Sequence, residues 1–290
     1  MAINKKSLLI NISLFYASLI WGATFIVVKN VLAFVDPVAL TAYRFIFAAI
    51  SLLIILLFMK KNPFTDFKPG LFLGILMFLL YIFQTIGLKY TTASNSGFIT
   101  GLFVVFVPIT SYIFYRKVPS VNKIIAVIIS LVGLWILTGG IKNINIGDSL
   151  TLIAAITYAW HIFLTDIYAK NDIDPWVLSF QQFFTVGVLS FISCFITGTS
   201  LSVANINSWW VIIFLALFPS VSAFVIHVYA QKTENPLKVS LIFMLESPFA
   251  AIFAWTFGKE KFILQNAMGG VIIFIAMIIS ELNFLEIKKK

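Results

Sequence analysis

The segment DPVALTAYRFIFAAISLLIILLFM, residues 36–59, decides the fold class of this chain. Between Asp36 and Lys60 its only charged residue is Arg44. At 1.5 Å of rise per residue, a helix of that length crosses the roughly 30 Å hydrocarbon core of a bilayer. A related string, DPWVLSFQQF, opens another apolar run at residues 174–183, offset by 138 positions.

Moving outward from these two strings, apolar runs punctuated by charges or by Gly, Pro and Asn divide the chain into ten predicted spans. They cover residues 8–28, 38–59, 69–88, 95–115, 121–138, 149–168, 175–197, 208–229, 237–257 and 264–284. The fourth and fifth are separated only by Arg116, Lys117, Val118, Pro119 and Ser120, and two cations followed by Pro stop a span well. Lys5 and Lys6 before the first run look like the start of a signal peptide. With nine further spans behind it, an uncleaved first helix is the expectation.

Composition agrees with this reading. The 290 residues are 61% hydrophobic and 11% charged, with a mean hydropathy of +1.03, too little polar surface to cover a water-exposed globule. A soluble enzyme, a disordered chain and a nucleic-acid binder are thereby excluded. The net charge of +9 is better explained by membrane topology than by nucleic acid. Placing the cations on alternating sides puts 14 with the N-terminus (Lys5, Lys6, Lys60, Lys61, Lys68, Arg116, Lys117, Lys123, Lys170, Lys232, Lys238 and Lys288 to Lys290) and 5 opposite (Lys29, Lys89, Lys142, Lys259 and Lys261). Both termini are therefore expected in the cytoplasm, in a bacterial cytoplasmic membrane. The short connections leave no room for an extramembrane domain.

The two Asp-Pro strings are not the only matched pair. Trp21 and Trp160 are offset by 139, and Pro108 and Pro248 by 140. Three pairs in order, at a nearly constant offset, indicate a duplicated unit of five spans. An odd number of spans forces the second copy to enter from the other face. The expected fold is an all-α integral membrane protein of ten transmembrane helices in two inverted five-helix repeats, residues 1–140 and 141–290. Such repeats build alternating-access transporters, with the substrate at the repeat interface near the midplane.

Several strings resemble the EamA branch of the drug/metabolite transporter superfamily. They are Leu19-Ile20-Trp21-Gly22-Ala23-Thr24-Phe25, Asp36-Pro37 followed by Arg44-Phe45, Leu88-Lys89-Tyr90-Thr91-Thr92-Ala93, and Glu246-Ser247-Pro248. Gly258-Lys259-Glu260 resembles the family's Gly-Glu turn with one Lys inserted. The chain departs from a strict repeat at Gln182, where an Arg matching Arg44 is expected, and in having no Glu before Pro108. The resemblance implies ten helices, two EamA repeats and export of small metabolites, often amino acids or drug-like compounds.

Candidate site residues follow from the cost of polar groups in hydrocarbon. Glu246 is the only acid at a predicted midplane, and Arg44 the only cation inside a span. Each costs about 2.5 to 3.5 kcal/mol at a helix centre, so both must face protein or water. Their predicted depths differ by about 5 Å, so a direct or water-bridged pair is open to them if spans two and nine are neighbours. Pro248 and Pro108 each deprive a carbonyl four residues earlier, Met244 or Val104, of its donor, and interrupted helices at matching places point to a transport site. Trp21, Thr24, Tyr43, Gln84, Asn95, Gln181 and Gln182 are suited to hold a zwitterion or a planar ring, and Trp160 with His161 can line a cavity. Each also has a plain packing role open to it.

Neither His161 nor His227 has a ligand partner at metal-binding spacing, and Cys194 stands alone, so neither a metal nor another cofactor is expected. No residues form a catalytic constellation, and no Walker A loop is present. Gly70-xxx-Gly74 and Gly97-xxx-Gly101 offer close-packing faces, within the chain or in a homodimer. The leading expectation is a secondary exporter of a small-molecule substrate; a channel, a lipid-flipping scaffold and a membrane-embedded enzyme are the alternatives.

Overall fold

A computed structural model describes residues 5–116, 120–140, 143–170, 173–234, 239 and 242–281. Lys117, Val118 and Pro119 between spans four and five, the start of the ninth span at 237–238 and 240–241, the end of the tenth at 282–284, and Lys142, Lys238 and Lys288 to Lys290 lie outside the described residues. The architecture is all-helical, with no strand among the described residues. The helices are α1 (Lys5–Val31), α2 (Pro37–Phe58), α3 (Phe67–Tyr90), α4 (Ala93–Gly101), α5 (Phe103–Tyr115), α6 (Val121–Thr138), α7 (Ile146–Ala169) and α8 (Pro175–Thr197). They continue with α9 (Ser208–Leu215), a π-helical segment (Ala216–Ser222), α10 (Ala223–Thr233), α11 (Glu246–Thr256) and α12 (Leu264–Glu281). Among the described residues, eight stretches are long and apolar enough to cross a bilayer, counting Ala93–Tyr115 and Ser208–Thr233 as one each. The chain is an integral membrane protein.

Both Asp-Pro strings start helices by the same chemistry. Asp36 accepts from the Val38 amide at 2.8 Å, and Asp174 accepts from Trp176 and Val177 at 2.9 and 3.3 Å. In each helix Pro fills the first position, where its missing N–H costs nothing. α2 and α8 pack together and run antiparallel. Lys61 beyond the end of α2 pairs with the cap Asp174 of α8, while Tyr43 near the start of α2 donates to Leu201 O beyond the end of α8.

Seven helix pairs build the centre. α3 packs on α7 and α8, α1 on α10 and α11, α4 on α11, and α4 and α5 on α7. α6 and α12 pair at the periphery. Both small-residue faces are filled within the chain: Gly70 and Gly74 lie against Gln181 and Thr185 of α8, and Gly97 and Gly101 against Ala250 and Ser247 of α11. Gly22 of α1 presses on the other side of the same turn, where a Cβ would stand 2.9 Å from Glu246 O. The first turn of α11 is thus gripped between α1 and α4.

Candidate functional site

Helix interruptions supply the site. The fourth span breaks at Leu102 between α4 and α5, six residues before Pro108, and the ninth turns at Met244 and Leu245 before α11 restarts at Glu246. Pro248 has no N–H to offer Met244 O, which is met instead by Ser247 N at 3.3 Å. Glu246 stands in the first turn of the restarted helix, where exposed backbone N–H groups favour a negative side chain. A third interruption was open to the same proline rule: Pro219 lies within the π-helical segment. Pro219 cannot donate to Leu215 O, the carbonyl four residues earlier, which accepts from Ser220 Oγ at 2.9 Å.

Glu246 is 7% exposed, and its Oε2 has no hydrogen-bond partner. It shares a cavity of about 20 Å³ with Trp21, Thr24, Tyr81, Gln84 and Tyr158, room for about one water. The cavity walls are themselves anchored. Trp21 Nε1 donates to Pro219 O at 2.7 Å, Thr24 Oγ1 to Trp21 O at 2.6 Å, and Gln84 Nε2 to Thr100 Oγ1 at 3.1 Å. Trp21, Thr24, Gln84 and Glu246, four of the residues singled out from sequence, therefore meet here.

Arg44 does not join them. It is 5% exposed and donates from Nε to Ser220 Oγ at 2.8 Å, with its guanidinium carbon 4.8 Å from the Tyr81 ring centroid and 5.2 Å from that of Phe45. Among the described residues, no carboxylate forms an ion pair with it; Lys61–Asp174 and Lys170–Asp166 are ion pairs elsewhere. The direct pair with Glu246 considered from predicted depth is not formed. Tyr81 of α3 faces Arg44 on one side and the Glu246 cavity on the other, and depth alone carries no information about what stands between two helices.

His161 and Gln182 meet each other instead of the cavity: His161 Nε2 and Gln182 Oε1 are 2.7 Å apart, both fully buried, and Gln182 Nε2 donates to Leu178 O at 3.1 Å. Trp160 packs beside Leu73 and Phe163. Asn95 sits in the first turn of α4, its amide held by Thr92 Oγ1 and its side chain accepting from Asn266. Tyr81 and Tyr158 line the cavity without having been singled out in sequence, because a tyrosine in an apolar run has no spacing signature. Their signal was the hydroxyl itself, a polar atom carried to mid-span.

The family model of EamA-like transporters matches residues 8–139 and again 145–282. The chain belongs to the EamA-like transporter family. An "Uncharacterized transporter" of Archaeoglobus fulgidus is 34% identical over 278 residues, covering 96% of this chain and 87% of that protein. The "Uncharacterized transporter YyaM" of Bacillus subtilis is 27% identical over 290 residues, covering 94% and 93%. One solved crystal structure superposes with a TM-score of 0.70 at 14% identity over 92% of this chain and 95% of its own, a likeness of fold. A membrane transporter of this family is what the sequence strings implied.

Proposed function

We propose that this EamA-family protein is a secondary transporter that exports small amphipathic metabolites, such as amino acids or drug-like compounds, across a bacterial cytoplasmic membrane. Ten spans in two inverted halves, 1–140 and 141–290, would alternate access to Glu246. The helix pairing supports the inversion, since the contacts are two-fold symmetric in span number. Span three packs on six as eight packs on one, and span four packs on six as nine packs on one. The antiparallel run of α2 against α8 and the twofold family match point the same way.

The observation that carries the functional reading is Glu246 itself. A carboxyl buried at a helix restart, with an oxygen left unpartnered beside a polar and aromatic cavity, is built to exchange its partner, either a proton or the cationic part of a substrate. Arg44 holds the neighbouring layer in place through Tyr81 and Ser220 and supports the site from behind.

The test uses proteoliposomes and a substrate chosen by thermal-shift screening, since a ligand that binds only the folded state stabilises it. Saturable flux with trans-stimulation marks a carrier. Glu246→Gln keeps the shape and removes the titration: it should erase pH dependence while leaving some exchange if the group carries a proton, and weaken binding at every pH if it holds a substrate cation. Unchanged affinity together with an unchanged pH profile would leave Glu246 a packing residue.

A further inference from the structure

A second cavity, of about 110 Å³, lies between α5, α7 and α10 and is lined by Phe103, Phe163, Asp166, His227, Gln231 and Phe243, among others. Each of its polar residues contributes at least one atom without a partner. His227 is fully buried, and neither of its ring nitrogens is hydrogen-bonded. Gln231, 5% exposed, gives Nε2 to Ile162 O at 3.3 Å, which fixes its amide orientation and leaves Oε1 an orphan acceptor. Asp166 Oδ2 accepts from Lys170 Nζ at 2.6 Å, and its Oδ1 has no partner. Buried polar atoms are almost always paired, so three residues contributing orphans to one cavity mark the place of something that pairs with them.

Three of the four orphan atoms are acceptors: a carboxylate oxygen, an amide oxygen and one nitrogen of a neutral imidazole, whose other nitrogen carries the single N–H donor. An ammonium group offers three N–H donors to match those acceptors. The remaining wall is apolar, with Val107, Ile162 and Val239 beside Phe103, Phe163 and Phe243, and aromatic rings can attract a cation electrostatically. The volume is below the roughly 150 Å³ that admits benzene, so it accepts an ammonium head and its first carbons. The body would extend past Asp166, whose side chain is 29% exposed and marks the mouth.

We propose that this cavity is an amine-recognising subsite in which Asp166, Gln231 and His227 receive a primary ammonium group before it reaches Glu246. The two cavities are one side chain apart. The Trp21 ring, which lines the Glu246 cavity, lies 5.0 Å from the Phe243 ring and 5.7 Å from that of His227. The inference rests on the transporter reading for the onward route to Glu246; binding at the subsite stands on its own.

The experiment is calorimetric titration of phenethylamine, and of its neutral isostere phenethyl alcohol, into the full-length protein in lipid nanodiscs. In the Glu246→Gln background a saturable amine site should persist, with the alcohol at least tenfold weaker. Adding Asp166→Asn at the partly exposed mouth should weaken the amine at least tenfold and leave the alcohol unchanged, and Gln231→Met should do the same. Unliganded thermal midpoints confirm that each variant is folded. The proposal is overturned if the wild type binds no phenethylamine, if Glu246→Gln alone abolishes the saturable site, or if both added substitutions leave amine affinity intact. Failure of the transporter reading looks different: flux by Glu246→Gln keeps its pH profile and affinity while Asp166→Asn still weakens amine binding.

Discussion

Replacing Gly22 with Ala adds one methyl group at the contact that seats Glu246. An ideal Cβ there stands 2.5 Å from Phe249 Cβ, 2.9 Å from Glu246 O and 3.0 Å from Ala250 N, whereas ordinary contact begins near 3.4 Å. None of the three atoms can rotate away, since each is backbone or fixed to it, so α1 and α11 must separate by up to about 0.9 Å, the shortfall of the closest contact. α1 has little freedom to retreat, because Ser18 Oγ donates to Ile242 O at 2.9 Å and Trp21 Nε1 to Pro219 O at 2.7 Å. Overpacking of this kind costs about 1 to 3 kcal/mol, offset by the ~1 kcal/mol that Ala gains over Gly in a helix. Net destabilisation is therefore about 0 to 2 kcal/mol, a small fall in the thermal midpoint. The displacement, however, falls on the turn that carries Glu246, and flux in proteoliposomes should drop more than tenfold. A midpoint that rises by the helix-propensity gain alone, with flux unchanged, would refute the close approach and the reasoning built on it.

Arg44→Ala removes a charge-assisted hydrogen bond worth about 1.5 to 3 kcal/mol and should abolish flux, while Arg44→Lys keeps a cation near Tyr81 and should retain part of it. Full flux in the Ala variant would return Arg44 to packing alone. Trp21→Phe keeps most of the ring and strips the donor from Pro219 O, so it should lower stability by about 1 to 3 kcal/mol, read in urea or heat; no change would mean that carbonyl finds another donor. Cysteines introduced at Asn145 and Ser202 should react with an impermeant thiol reagent applied outside, and one at Ser120 should not, Cys194 being buried; the reverse pattern would overturn the assignment of sides.

The helices were legible because hydrophobicity and length are properties of a single run. Asp36-Pro37 and Asp174-Pro175 could be read as helix starts without knowing any neighbour, and the small-residue faces at Gly70 and Gly97 announced close packing without saying against what. Glu246 stood out for the same one-dimensional reason, as an acid far from any span end. What failed to show was lateral. Depth along a helix put Arg44 and Glu246 within reach of each other, but their azimuths are set by helix packing, and Tyr81 occupies the space between. His161 and Gln182 looked like separate polar groups because a 21-residue separation across a loop hides a 2.7 Å contact. The π-helical segment around Pro219 was missed although proline marks it, because no matching proline in the first half called attention to it.

One helix, α7, shows how the two ends of the central region differ. Asp148 and Asp166 lie on it about 27 Å apart along the axis. At the Asp148 end Asp148, Lys29 and Glu260 are all hydrogen-bonded. Thr91 donates to Asp148 Oδ1, and Lys29 donates to Leu88 O and Thr91 O. The Glu260 carboxylate accepts from Ala93 N, Ser94 N and Ser94 Oγ at the start of α4. Groups from α1, α7 and the connection after α11 thereby clamp the turn between α3 and α4, and in a low-dielectric setting satisfied charges of this kind rigidify what they join. At the Asp166 end the polar atoms of His227, Gln231 and Asp166 itself are left open toward a cavity. Polar satisfaction is thus distributed unevenly along the same axis: complete where the chain is clamped shut, incomplete where a ligand can supply the missing partners. Glu246, with one oxygen unpaired between the two ends, sits at the boundary between the closed arrangement and the open one.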